Sequence, residues 1–104
     1  MSVLRLVSDT LHLHCGSRSI RLTKIEFAIL AELLNGDGGL VSRQDLLRLV
    51  WGSHICVEVR TVDSHVAHLR RKLKQLGKTD IPAIETVWGL GYRVKYPDGP
   101  ADSP

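Results

Sequence analysis

An α+β fold is predicted by three observations: apolar–polar alternation over residues 3–23, three segments of helical period between residues 23 and 77, and two alternating segments around a glycine-rich turn at residues 84–96. In the first region Val3–Val7, Leu11–His14 and Ser19–Leu22 read as short strands, with Ser8-Asp9-Thr10 and Gly16-Ser17 as the turns. Thr23-Lys24-Ile25-Glu26 has the form of a capping box, a hydroxyl at the N-cap and a carboxylate three residues later. The helix it opens places Phe27, Leu30 and Leu34 at helical spacing and stops at Asn35-Gly36. Ser42 with Asp45 reads as a second cap, opening a helix that carries Leu46, Leu47 and Val50 and ends near Trp51-Gly52. A loop from Ser53 to Glu58 leads into a third helix, which runs to Gly77, and Pro82 breaks the chain behind it. Ile84–Val87 and Tyr92–Tyr96 then form a hairpin around Trp88-Gly89-Leu90-Gly91, where glycines supply positive φ. Two helices joined by a loop and followed by a hairpin are the parts of a winged helix-turn-helix. The organisation is one domain over residues 1–97 with a Pro-, Gly- and Asp-containing disordered tail over 98–104.

The composition, 43% hydrophobic and 24% charged, is that of an ordinary globular chain. The longest apolar run, Phe27–Ala31, falls far short of the roughly 20 residues a membrane span needs. No apolar stretch follows a basic start, so no secretory signal is expected. Two cysteines make no disulfide framework, and the expected location is cytoplasmic. The net charge of +3 is unevenly placed: residues 60–78 alone carry +5, from six basic residues against Asp63. With about 100° per residue, Val62, Val66, Leu69 and Leu73 fall within an arc of roughly 60° on the third helix. Arg60, Ser64, Ala67 and Arg71 lie opposite, flanked by His68 and Lys74. A helix needing only solubility mixes signs in i,i+4 pairs. This one keeps almost a single sign around a small central residue, which suits a polyanion groove. Arginine bonds a guanine edge bidentately, serine bonds base or phosphate, and lysine suits phosphate. Docking onto an acidic protein is the alternative that the same helix leaves open.

Leu22-Thr23-Lys24-Ile25-Glu26-Phe27, Val41–Leu47, Val50-Trp51-Gly52, Arg60–Val66, Leu69–Leu73 and Glu85–Arg93, in this order and spacing, resemble the OmpR/PhoB-type DNA-binding domain of two-component response regulators. The resemblance implies a four-stranded N-terminal antiparallel sheet, three helices and a C-terminal wing. It further implies sequence-specific binding of double-stranded DNA, with the third helix in the major groove and the wing at the minor groove. The expected DNA-binding set is Arg60, Thr61, Ser64, Ala67, His68, Arg71, Lys72 and Lys74 with Trp88 and Arg93 of the wing. By the same resemblance Ser53, His54, Ile55, Val57 and Glu58 form a loop that contacts RNA polymerase. Two copies would bind tandem repeats, and the phosphorylatable receiver domain such regulators carry is missing from a chain this short. Where relatives often have basic residues, this sequence has Trp88 before Gly89 and Ala67-His68 in the third helix.

Other residues have structural readings. Asp63 and Arg70 flank the apolar stripe, Glu26 caps its own helix, and Trp51 and Tyr92 pack rather than stack on bases. Trp88 is expected against the third helix in preference to the sugar-phosphate edge, because a large ring gains from burial. Arg93, opposite Tyr92 by strand alternation, is expected to project at the hairpin's DNA end. His12, His14, Cys15, His54 and Cys56 lack the paired spacing of a zinc site, so no metal or cofactor is expected. No nucleophile–base arrangement, phosphate-binding glycine loop or carboxylate pair points to an enzyme.

Overall fold

The computed structural model describes residues 4–53, 57–77 and 81–96. The predicted tail over 98–104 lies outside them, as do His54, Ile55 and Cys56 of the loop. The elements run β1 (Leu4–Val7), β2 (His12–Cys15), β3 (Arg18–Arg21), α1 (Lys24–Asn35), β4 (Val41–Ser42), α2 (Arg43–Trp51), α3 (Arg60–Leu76), β5 (Ala83–Val87) and β6 (Gly91–Lys95).

β1, β2 and β3 form an antiparallel meander with Leu6 opposite Leu13 and Leu13 opposite Ile20. Alternation turns Leu13 and Cys15 into the core and leaves His12 and His14 on the other face, their rings 5.8 Å apart. Two expectations are corrected here. The sheet has three strands among the described residues rather than four, because β3 passes through buried Leu22 straight into the N-cap of α1. Leu11 is not a strand residue: it sits at φ 58°, and its carbonyl accepts the Leu22 N–H at 2.8 Å.

The capping box is formed. Thr23 Oγ1 accepts from the Glu26 N–H at 3.1 Å while Glu26 Oε1 accepts from the Thr23 N–H at 2.9 Å. At α2, Ser42 Oγ accepts from the Asp45 N–H at 3.0 Å. α3 starts without a side-chain cap; the Thr61 and Val62 amides bond back to the carbonyls of Glu58 and Val59.

The core is organised around α3. Val62, Val66 and Leu69 are fully buried and Leu73 and Leu76 nearly so, which is the predicted stripe extended by one turn. Ile29, Leu30 and Leu33 of α1, Leu46 of α2 and Ile84 and Val94 of the hairpin close over it. β6 of the hairpin is also the middle strand of a second sheet, order β4-β6-β5, in which Val41 pairs with Tyr92 and Ser42 with Gly91. Sequence reading saw Ser42 as a cap alone. A β-carbon at Gly91 would stand 2.2 Å from the Val41 carbonyl oxygen, so only glycine allows this close pairing.

Candidate nucleic-acid interface

α3 is held on three sides. Arg18 donates to the Leu76 carbonyl at 2.8 Å, satisfying an acceptor at the C-terminal end of the helix. Lys72 reaches across to α1, donating to Glu26 Oε1 at 2.7 Å and to the Arg21 carbonyl at 3.2 Å. Arg70 donates to the Ile84 carbonyl at 3.0 Å and to Thr86 Oγ1, and its guanidinium lies 5.4 Å from the centre of the Tyr92 ring. These contacts tie the helix to the first sheet, to α1 and to the wing respectively.

A fourth tie comes from Asp63. Its carboxylate accepts from Arg43 Nε at 3.0 Å and from a second Arg43 nitrogen, and also accepts the Tyr92 hydroxyl proton at 2.5 Å. α2, α3 and β6 therefore meet on one carboxylate. Burial of the ring, with the Asp63 hydrogen bond and charge, pushes the Tyr92 phenol up to about 12. The structural reading of Asp63 and Arg70 thus matches their observed contacts. Arg43 was missed; the only signal available was its position in the first turn of α2. Glu26 is buried, which alone would raise its carboxyl. The Lys72 ammonium and the Thr23 donors outweigh that and hold it below the ordinary carboxylate range.

With these residues turned inward, Arg60, Ser64, Ala67, His68, Arg71 and Lys74 remain exposed on α3, and Thr61 is half-buried. Among the described residues Arg60, Arg71 and Lys74 make no ion pair, and the one acid of α3, Asp63, is occupied by Arg43 and Tyr92. The exposed face of α3 is therefore of one sign. Lys72, also of the expected set, has its ammonium on Glu26, whose side chain is only 4% exposed.

On the hairpin, Tyr92 is buried and Arg93 is exposed, as alternation requires. Arg93 is nevertheless not at the turn. It pairs in register with Glu85, and its Nε donates to that carboxylate, holding the Glu85 carboxyl below its ordinary range. Trp88 overturns the packing expectation, for it is 89% exposed at the turn. Trp51 is half-buried with its ring 5.5 Å from that of His65. Ser53 and Glu58 are exposed and Val57 half-buried. Among the described residues no group of three metal-ligating side chains comes together, and no helix is long and apolar enough to cross a membrane.

Two helices joined by a loop, the second with a one-signed face and followed by a β-hairpin packed on its flank, define a winged helix-turn-helix domain. The family model described as "Transcriptional regulatory protein, C terminal" matches residues 17–94, and the chain belongs to that family. The phosphate regulon transcriptional regulatory protein PhoB of Rhizobium meliloti is 40% identical over 92 residues, covering 88% of this chain and 40% of that protein. SrrA of Staphylococcus aureus is 34% identical over 100 residues, covering 94% of this chain and 42% of that protein. The chain thus spans about two-fifths of the length of these curated relatives. Among solved structures, the DNA-binding domain of Bacillus subtilis CssR superimposes with a TM-score of 0.74 at 32% identity, covering 89% of this chain and 100% of that one. The DNA-binding domain of the response regulator AdeR, solved with an intercistronic region, gives 0.75 at 28%, covering 90% and 95%.

Proposed function

We propose that this chain is the sequence-specific, double-stranded-DNA-binding effector domain of a two-component transcriptional regulator. The observation that carries it is the exposed face of α3, whose charged residues are all basic and whose only acid is taken up by the Arg43–Asp63–Tyr92 cluster. Arg60, Ser64, Ala67, His68, Arg71 and Lys74 face the major groove, with Thr61 at the backbone. The similar AdeR DNA-binding domain was solved in complex with an intercistronic region, which supports binding of DNA. Ser53, His54, Ile55, Val57 and Glu58 belong to a loop that faces RNA polymerase. Two copies occupy tandem sites, and the regulator's receiver domain is supplied by sequence outside this chain. The activity is binding rather than catalysis, and its setting is the cytoplasm.

Titration of labelled duplex tests this. Affinity for arbitrary duplex falls linearly in log[salt], and a preferred sequence emerges from selection out of a random pool. Arg71→Ala weakens specific binding by about 1–3 kcal/mol and relaxes preference at one base pair if the guanidinium reads a base. If it holds phosphate, all duplexes weaken alike and the salt slope falls by about one. Substitutions at His54, Ile55 and Val57 leave DNA affinity intact and change promoter output. Absence of salt-dependent duplex binding would refute the reading and turn attention to an acidic protein partner.

A further inference from the structure

β2 carries His12 and His14 two positions apart, so both imidazoles stand on one face of the first sheet, opposite buried Leu13 and Cys15. The rings are tilted at 37° to each other with their centres 5.8 Å apart, and both residues are half-buried. With metal–nitrogen bonds of about 2.0–2.1 Å, one ion joins two imidazoles whose centres lie roughly 5 Å apart. Side-chain rotation closes the remaining gap with the strand unmoved.

A second observation shows which nitrogen is free. His12 Nδ1 lies 2.9 Å from the Thr10 carbonyl oxygen. A carbonyl only accepts, so Nδ1 carries the proton and donates it. The lone pair of the neutral ring is then on Nε2, directed away from Thr10. Leu11, at φ 58°, turns the chain between the two residues. A ring N–H held by a backbone carbonyl is what fixes the tautomer and orientation of metal-ligating histidines, and it raises the basicity of the other nitrogen.

The neighbouring strands decide what the pair can hold. Register sets Arg5 and Ser19 beside His14, and Val7 and Arg21 beside His12. None of β1, β2 and β3 carries a carboxylate. Ca²⁺ and Mg²⁺, which take oxygen ligands, are therefore poorly served, whereas imidazole suits the later first-row ions. The two arginine charges oppose a cation, but both side chains are exposed and water and salt screen them. Structural zinc takes four protein ligands. Two imidazoles suit an ion that keeps water in its other positions.

We propose that His12 and His14 form a surface site for a divalent transition-metal ion, His12 binding through Nε2, with Cu²⁺ held more tightly than Ni²⁺ or Zn²⁺. Both ligands come from β2, so the site is independent of α3 and of the DNA-binding reading.

Calorimetric titration of the whole chain with Ni²⁺ tests it, since Ni²⁺ does not oxidise the Cys15 thiol. His12→Ala and His14→Ala each lower the Ni²⁺ affinity about ten-fold or more, because each leaves one imidazole. Without metal both variants keep the parent melting temperature, for neither ring belongs to the core. Saturating Ni²⁺ raises the melting temperature of the parent and not of the variants. Cu²⁺ binds the parent more tightly than Ni²⁺ or Zn²⁺, and its electron paramagnetic resonance spectrum shows coupling to two imidazole nitrogens. His54 and Cys56 are also two positions apart, and a chain with both His54→Ala and Cys56→Ser retains the Ni²⁺ binding. Ni²⁺ affinity unchanged in His12→Ala or in His14→Ala would overturn the proposal. So would coupling to a single imidazole nitrogen, or binding lost with His54 and Cys56, which would place the ion in the loop.

Discussion

Replacing Asp63 by alanine tests whether one carboxylate sets the angle between α3 and the wing. The loss has two parts. The Tyr92 hydroxyl sits on a residue only 6% exposed and bonds Asp63, so its removal orphans a donor that was bonded to a charge, worth about 1.5–3 kcal/mol. The Arg43–Asp63 pair has side chains each 39% exposed, and water screens it to about 0.5–1 kcal/mol. The expected total is about 2–4 kcal/mol, a large part of the 5–15 kcal/mol typical of a domain. Urea unfolding of Asp63→Ala, Tyr92→Phe and the double variant separates the parts. In the Tyr92→Phe background no hydroxyl is left to orphan, so Asp63→Ala costs only about 0.5–1 kcal/mol there. Ultraviolet titration supplies an independent reading: the Tyr92 phenol, at about 12, falls when Asp63 is removed but stays above 10 because burial is the larger cause. An equal cost of Asp63→Ala in both backgrounds would refute the reasoning, for it would mean that the tyrosine hydroxyl contributes nothing through Asp63.

Gly91→Ala sets a β-carbon 2.2 Å from the Val41 carbonyl oxygen, at φ 157°, so β4 must part from β6; unfolding should show a loss of more than about 2 kcal/mol, and a smaller loss would show that β4 yields freely. Lys72→Ala leaves Glu26 short of a charged partner, and thermal unfolding should register a loss of about 1–3 kcal/mol while duplex affinity changes by less than the loss in Arg71→Ala. Glu26 has its carboxyl depressed by folding, so its stabilisation is present above its ordinary value of 4.5 and is lost as pH falls through the lower folded value. The stability gap between the parent and Glu26→Gln should therefore narrow on acidification below about pH 4.5; a gap independent of pH would show that the charge is not what matters. Tyr92 has a raised value, so its contribution is complete below pH 10 and is lost towards about 12, and Tyr92→Phe should flatten the alkaline limb of the stability curve.

The order of elements apart from β4, both helix caps and the apolar stripe of α3 were legible in the sequence, because each follows from interactions between residues a few positions apart. A threonine three residues before a glutamate makes a capping box wherever the helix goes. Val62, Val66, Leu69 and Leu73 share a face by the geometry of the helix alone. Periodicity also separated buried Tyr92 from exposed Arg93. What periodicity measures is direction about an element's own axis. It does not say which element lies opposite, and the remaining features of the site turn on that. Lys72 lies at the edge of the outward face by angle, yet the N-terminus of α1 stands within reach and takes its ammonium for Glu26. Asp63 is spaced 29 residues from Tyr92 and 20 from Arg43, so its role as the joint of three elements exists only once they are packed. The partner of Val41 and Ser42 in β6 lies across the whole of α2 and α3, beyond any local signal. Trp88 was given to packing because a large ring favours burial, a rule about averages; the register that closes β5 on β6 puts it at the turn, with no neighbour to bury it. Sequence thus determined which residues form the cationic helix and the hairpin. Tertiary packing decided which of its charges stay free, because ion pairs and hydrogen bonds are settled by distances of a few ångströms between segments far apart in the chain.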